Sequence, residues 1–422
     1  MKKLGCIVLI LMTALFVLSP AVSAEESSEP VPENEAQGTA ASASGEAVNV
    51  PQKDTDDRPQ EETVSREEEE GRETLSSEEE EKPEKAAALD ADQEDPLSYG
   101  IPVLRLNIDP EEYQKVIESE DHSYRAEGCT IRIDVPEGYE SEYGETDPSL
   151  IGTDLLLEYF RGRGNSTWYG SKKPFKLKTD KKTDFFGMGK NKHWVLLANA
   201  LDDTLLKNRV SCYMAQKLGL SYTPKCIPVE FYVNDDYIGS YTLGQDIRID
   251  ETRLDIDELG PADTEEPAVT GGYLLALKPY YDDPAENKFT TSRGVEFGTE
   301  NPVFEGEEAS APEQKAYISA YVQKTEDAIF GENFCDEEGI PYTEYMDAEA
   351  AAKYWWLQEF CVNTDAYNTP STYLYKERNG KLFWGPLWDF DLAFRKAYKK
   401  TVFNNSHEMI WICHLRQEGR NS

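Results

Sequence analysis

The chain has 422 residues, room for two or three domains, and carries 81 acidic against 43 basic residues for a net charge of −38. That balance argues against binding DNA or RNA, which needs a basic surface to neutralise phosphates. It argues equally against docking on anionic lipid.

Residues 1–24 read as a secretory signal peptide. Lys2 and Lys3 give a basic start, Cys6 to Leu18 an apolar core, and Val22-Ser23-Ala24 the small residues of a cleavage site. Cys6 lies too early to be the lipid-bearing cysteine of a lipoprotein signal. The expected destination is therefore secreted or cell-surface. No later stretch is apolar for long enough to span a bilayer, so no transmembrane segment is expected after cleavage. Residues 25–97 are dominated by Glu, Ser, Ala and Pro. From Glu25 to Pro96 there are 25 acids against 6 bases, a net −19. Like charges repel and little apolar surface can be buried, so this segment reads as a disordered acidic linker that spaces the folded part from a wall, a surface or a complex.

Beyond the signal six cysteines remain: Cys129, Cys212, Cys226, Cys335, Cys361 and Cys413. They form no C-x-x-C pair and no Cys/His cluster, which argues against structural zinc. An oxidising compartment allows some to pair, but buried free thiols are the plainer reading for most.

The folded domain is expected over 98–422. Leu104, Leu106 and Ile108 alternate with polar residues and predict a strand. Asp109-Pro110-Glu111-Glu112 opens a short helix running through Val116. Cys129–Val135 and Asp154–Phe160 predict two further strands. There follows Arg161-Gly162-Arg163-Gly164-Asn165-Ser166-Thr167-Trp168, then Lys172-Lys173-Pro174-Phe175-Lys176-Leu177-Lys178. Two glycines let backbone approach a ligand, and exposed N–H groups with two arginines can cradle phosphate. In the strand that follows, Phe175 and Leu177 face one way, Lys176 and Lys178 the other. Neither Walker nor G-x-G-x-x-G spacing is present, and taken alone the stretch is slightly better explained as a polar hairpin with a basic outer strand. In so acidic a chain, however, this local basic patch points to an anionic ligand.

Trp194–Leu197 reads as a buried strand. Asp203 is expected to cap a helix ending at Leu218 and Gly219, with Leu206, Val210, Met214 and Leu218 as its core face. Val229–Val233 and Tyr237–Leu243 form a hairpin, Gly271–Leu277 a strand, and 258–270 and 282–312 surface loops. Helices follow over 312–329 and 347–362. In the last segment, Tyr373–Tyr375 and Leu382–Trp384 flank Arg378-Asn379-Gly380, where Asn-Gly supplies the positive φ values of a hairpin turn. A hairpin joins its ends, so Asp365 should lie near Asp389, with Asp391 beside it. Carboxylates crowded in an apolar frame raise each other's pKa unless a cation sits between them, and oxygen ligands of this kind suit Mg²⁺. Taken alone, Asp389 and Asp391 are also unremarkable as solvated turn residues after Pro386.

The blocks RGRGNSTW–KKPFKLK, HWVLLANALDDTLLKNRV, VEFYVNDDYIGSYTLGQDI, GGYLLALK and NTDAYN…STYLYK…GKLFWGPLWDFDLAF, in that order, resemble the CotH family of spore-coat-protein-H-like secreted proteins over Ile101 to Phe394. The resemblance implies an α+β, atypical protein-kinase-like fold of two lobes. It also implies binding of ATP and Mg²⁺ and phosphorylation of Ser or Thr on secreted or surface proteins, by a chain expected to be a monomer. It maps the catalytic and metal-binding acids onto Asp365 and Asp389. Asp391 becomes a second metal candidate, and Arg161, Arg163, Gly164, Lys176 and Lys178 candidates for the phosphates.

Some positions depart from the family's pattern. Gln245 stands where the Y-x-L-x-E block has an acid, Ala276 and Lys278 where acids are common, and Ser371 where asparagine is often seen, with Asn368 nearby. In ordinary kinases a helix glutamate pairs with the phosphate-binding lysine. The 203–218 helix carries Lys207-Asn208-Arg209 instead, so the partner must come from elsewhere or be missing. The run after Phe394 lacks the further helices the resemblance implies, and the C-terminal lobe reads as truncated. Secretion outside an ATP-rich compartment and the departures at Gln245, Ala276 and Lys278 favour a second reading, an inactive surface-binding module on the same fold. A carboxylate-pair hydrolase acting on wall glycans is a third reading, and it leaves the Arg/Gly/Lys stretch unexplained.

Overall fold

The computed structural model describes residues 95–280, 283–304, 310–363, 365–366 and 371–394. The signal peptide, nearly all of the acidic linker, Asn368 and the run after Phe394 lie outside the described residues.

Seven strands close a barrel: β1 (Val103–Asn107), β2 (Thr130–Asp134), β3 (Leu155–Gly162), β4 (Phe175–Thr183), β5 (Asn191–Leu197), β6 (Cys226–Val233) and β7 (Asp236–Gln245). Their order is β1-β2-β3-β4-β5-β7-β6. All neighbours pair antiparallel except β6, which returns parallel to β1 with Val103 opposite Glu230 and closes the ring. Alternation drives each strand: in β4, Phe175, Leu177 and Thr179 turn inward while Lys176 and Lys178 turn outward. Phe160, Phe175 and Phe231 pack inside with ring centroids 4.8–6.4 Å apart. Helix α1 (Pro110–Glu118) lies on β3. Its cap is the expected Asp109, whose carboxylate accepts from the amides of Glu111 and Glu112 at 2.9 and 3.3 Å.

A second sheet has the order β12-β11-β8-β10-β9, with β8 (Tyr273–Leu277), β9 (Lys288–Thr290), β10 (Glu296–Asn301), β11 (Tyr373–Lys376) and β12 (Leu382–Trp384). Every residue of β8 is buried, as befits a central strand. Strands β9 and β10 fall inside 282–312, which the sequence presents as loop. Gly298 and the flanking charges mask a short strand in which Phe297, Gly298 and Thr299 are all buried, and Phe297 stacks on Phe289 at 5.4 Å. Helices α3 (Pro312–Phe330) and α4 (Ala348–Phe360) pack into the core of this half, near the expected boundaries. No helix among the described residues is long and apolar enough to cross a membrane.

Helix α2 (Lys207–Leu218) joins the two halves, packing on β6 of the barrel and on α4. It departs from expectation at its start. Asp202 rather than Asp203 holds the N-terminus, its carboxylate accepting from the amides of Thr204 and Lys207 at 2.9 Å each. Leu206 and Val210 are exposed, and the fully buried face is Asn208, Ser211 and Ala215. Asn208 is buried against the polar groups of the site, while Ala215 joins the apolar core with Met214 and Leu218 packed on it.

Candidate active site

A cavity of about 710 Å³ lies between the turn after β3, the outer face of β4, the end of β7 and the segment after β12. Arg161, Arg163, Gly164, Lys176, Asp365, Asp389 and Asp391 all line it. Lys178 does not. Strand periodicity puts it on the same side as Lys176 but one repeat further along, where it pairs with Glu158 and sits over the Tyr159 ring.

The turn after β3 supplies one wall. Gly164 has φ +88, and a Cβ there would meet Thr167 Oγ1 at 2.5 Å, so the tight turn requires glycine. Arg163 extends over Trp388, with its guanidinium 5.4 Å from the ring centroid. Burial lowers its pKa, against the pull of Asp389, Tyr373, Asp391 and Asp246. Arg161 donates from Nη1 to the His122 carbonyl at 3.1 Å, while its buried Nε has no hydrogen-bond partner.

Lys176 forms the floor. Its Nζ lies 3.0 Å from Asp246 Oδ2, in a pair whose side chains are 19 % and 7 % exposed. Asp246 follows directly on β7 and also takes a bidentate contact from Arg248 at 2.8–3.1 Å. Burial alone would raise the Asp246 pKa, but Lys176 and Arg248 outweigh it and hold the carboxyl at about 2. Burial lowers the pKa of Lys176, and Asp246 resists it. The acid absent from α2 is thus supplied by the barrel. Gln245, the apparent loss, is structural. Its amide donates to the carbonyls of Met188 and Thr252 at 2.5 and 3.0 Å, and its oxygen accepts from Lys225 N at 2.9 Å. Ala276 is wholly buried in β8 and is not among the residues lining the cavity, and neither is Lys278.

The opposite wall is Asp389-Phe390-Asp391. Asp389 adopts φ +60, a left-handed conformation that Asp tolerates better than most residues. The hairpin β11–β12 pairs Leu374 with Trp384 and Lys376 with Leu382 and brings Asp365 and Asp389 to one cavity; in its turn Asn379 takes the expected positive φ, +55, whereas Gly380 does not. Both charges bear on the Tyr280 hydroxyl, whose pKa is raised first by burial and then by Asp389 and Asp365. Asn363 ties the two acids together: its Nδ2 donates to the Asp389 carbonyl at 3.1 Å, and its Oδ1 accepts from the Asp365 amide at 3.2 Å. Ser371, in place of the family's asparagine, donates to Asp389 Oδ2 at 2.9 Å. From α2, Asn208 accepts from the Phe390 amide at 2.8 Å and donates to the Asp391 carboxylate, and Lys207 Nζ donates to the Asp391 carbonyl at 3.2 Å. Burial, reinforced by the Asp389 charge, raises Asp391 to about 6.

Asp246, Asn208 and Asn363 were not singled out from the sequence. Asp246 had a signal, being an acid one residue beyond the expected position; Asn363 had one as the first residue of the Asn-x-Asp block that ends at Asp365, and Asn208 lay in a quoted block with no role given to it. Among the described residues no group of three or more His, Cys, Asp or Glu is arranged to hold a metal. The two-carboxylate wall still fits Mg²⁺, which keeps several waters and binds proteins through one or two carboxylates plus substrate phosphates. Burial is the larger cause of the raised Asp391, and the Asp389 charge adds to it.

The CotH kinase protein family model matches residues 160–416. The chain belongs to the CotH kinase family. Members of that family are atypical kinases, and the matched span takes in every candidate residue from Arg161 to Asp391. No curated protein matches the chain.

Proposed function

We propose that this CotH-family chain is a secreted atypical protein kinase with a two-lobed kinase-like fold, transferring the γ-phosphoryl group of ATP to a Ser or Thr hydroxyl of a secreted or surface protein. The observation that carries the reading is one cavity with a buried Lys176–Asp246 pair on one side and Asp389, Asp391 and Asp365 on the other. Phosphoryl transfer asks for positioning and charge stabilisation rather than covalent chemistry. Lys176, oriented by Asp246, binds the nucleotide phosphates, with Arg161 and Arg163 nearby and the Gly164 turn permitting close approach. Asp389 and Asp391 hold Mg²⁺, which when bound neutralises phosphate charge. Asp365 orients the acceptor hydroxyl and takes its proton as the new oxygen–phosphorus bond forms and the bond from the γ-phosphorus to the bridging oxygen breaks, with ADP leaving. Two departures are consistent with the kinase reading: beside Gln245, Asp246 pairs with Lys176, and Ser371 contacts Asp389.

The test is transfer from labelled ATP with Mg²⁺ into the protein itself or a casein-like acceptor, beside Asp389→Asn and Asp365→Asn. Label in the wild type and at least 100-fold less in both variants is expected. A folded wild type that neither transfers label nor shifts its melting temperature with ATP and Mg²⁺ overturns the reading.

A further inference from the structure

The loop from α1 to β2 brings into the cleft a residue that the phosphoryl-transfer reading leaves unused and that lies ahead of the span matched by the family model. His122 lines the cavity together with Arg161, Arg163 and Lys176. Its backbone adopts φ +58, a left-handed conformation that side-chain-bearing residues seldom take. The neighbouring Asp121 builds that turn. One of its carboxylate oxygens accepts from Ser119 Oγ at 2.9 Å and from Ser123 N and Oγ at 3.0 and 2.8 Å, while His122 N donates to the Ser119 carbonyl at 3.2 Å. The His122 carbonyl accepts from Arg161 Nη1 at 3.1 Å, and the imidazole meets the buried Trp168 ring edge-on with centroids 4.7 Å apart. Lys173 Nζ lies 4.5 Å from the same Trp168 ring. Held in this way, His122 Nε2 and Arg161 Nε are both buried with no hydrogen-bond partner among the described residues. Buried polar atoms are nearly always bonded, so two orphans on neighbouring side chains in one cavity wall call for a ligand.

Strand register supplies the chemistry of that ligand. Arg161 on β3 stands directly opposite Lys176 on β4, so the two side chains share one face, with Cβ atoms about 5 Å apart. We propose that His122 and Arg161 form a second phosphate subsite beside Lys176, taking the adjacent phosphate of the same polyphosphate chain. The proposal rests on the reading of the cleft as a nucleotide site. In the free protein, burial and then the Arg161 charge hold the His122 pKa below its ordinary 6.5; Asp121 opposes them, and Lys173 and Arg163 add to the fall. A bound phosphate brings negative charge to the imidazole and raises that pKa, so binding takes up a proton at about pH 6. The pKa of the bound form lies above that of the free form, and affinity therefore rises as pH falls through the bound value.

The experiment follows the imidazole resonances of the full chain by NMR from pH 5 to 8, alone and with Mg²⁺ plus either the β,γ-imido analogue of ATP or inorganic pyrophosphate. His122→Asn and His122→Gln, shown folded by circular dichroism, assign the His122 signal; asparagine tolerates the left-handed backbone and neither side chain takes up a proton. Each ligand should raise the pH at which His122 titrates by about one unit. Calorimetric titration should show the affinity of the wild type relative to the variants growing about tenfold between pH 8 and pH 6, a comparison in which the titration of the ligand itself cancels. A bound ligand that leaves the His122 titration unmoved overturns the proposal, as does an affinity ratio that stays flat with pH. Failure of both ligands to bind overturns it together with the kinase reading. The expected His122 shift without any transfer of label sinks the kinase reading alone and leaves the subsite standing.

Discussion

At the scale of single residues, the Lys176–Asp246 pair shows how charge is kept inside this molecule. A carboxylate 7 % exposed is stable there only because two cations hold it, Lys176 at 3.0 Å and Arg248 in a fork. Asp246→Asn leaves the Lys176 ammonium in place without its counter-charge, so a loss of about 3 kcal/mol is expected in urea unfolding at pH 7. The sign of the pH dependence follows. The folded carboxyl titrates at about 2, below the ordinary value of 3.8, so its contribution is complete above about pH 4 and disappears as pH falls towards 2. The stability gap between wild type and Asp246→Asn should therefore narrow across that window. A gap that stays constant down to pH 2 would place the pair's contribution elsewhere.

At the scale of elements, α2 acts as a clamp. Asn208 is buried on it because the turn it holds presents a backbone amide and a carboxylate, which a side chain with both donor and acceptor can meet, while Ser211 donates to Cys361 and Ala215 packs in the apolar core. Asn208→Ala strands the Phe390 amide and frees the Asp391 carboxylate. It should cost about 2 kcal/mol of stability and raise the Mg²⁺ concentration for half-maximal transfer several-fold. Ser211→Ala, on the same face but away from the acids, should leave that Mg²⁺ dependence unchanged. Equal effects from both would make Asn208 merely structural. Strand β11 holds a second buried charge. Lys376 is 1 % exposed, donates to the carbonyls of Thr270 and Glu377 at 2.5 and 3.3 Å, and lies 4.4 Å from the Tyr321 ring centroid on α3. Burial lowers its pKa from 10.5 to about 8. Between those values the unfolded chain binds the extra proton, so this residue's contribution to stability rises with pH. Measured by urea unfolding, wild type should gain about 2 kcal/mol on Lys376→Met between pH 7.5 and 10. A pH-independent difference would refute the burial argument.

At the scale of the molecule, what could be read in the sequence and what could not divide along one physical line. Strand alternation, the Asp109 cap and the Asn379-Gly380 turn are local, so β1–β8, α1, α3, α4 and the meeting of Asp365 with Asp389 were legible. The partner of Lys176 was not, because it depends on how β4 registers through β5 onto β7, with Lys176 opposite Val195 and Val195 opposite Gly244. Nor was the polar face of α2, whose hydrophobic spacing pointed at Leu206 and Val210 until packing chose otherwise. That packing has a consequence for how the whole chain unfolds. The barrel core and the core of the second sheet are separate clusters, yet α2 contributes to the second core while lying on β6, and its residues close one side of the shared cavity. A ligand bridging Lys176 and Asp389 would touch both halves. ATP with Mg²⁺ at 100 times its dissociation constant stabilises by about 2.7 kcal/mol, which for a domain of this size raises the melting temperature by roughly 5 °C. Calorimetry should show one transition moving as a unit. Two transitions of which ligand shifts only one would mean that the halves melt independently and that α2 does not couple them.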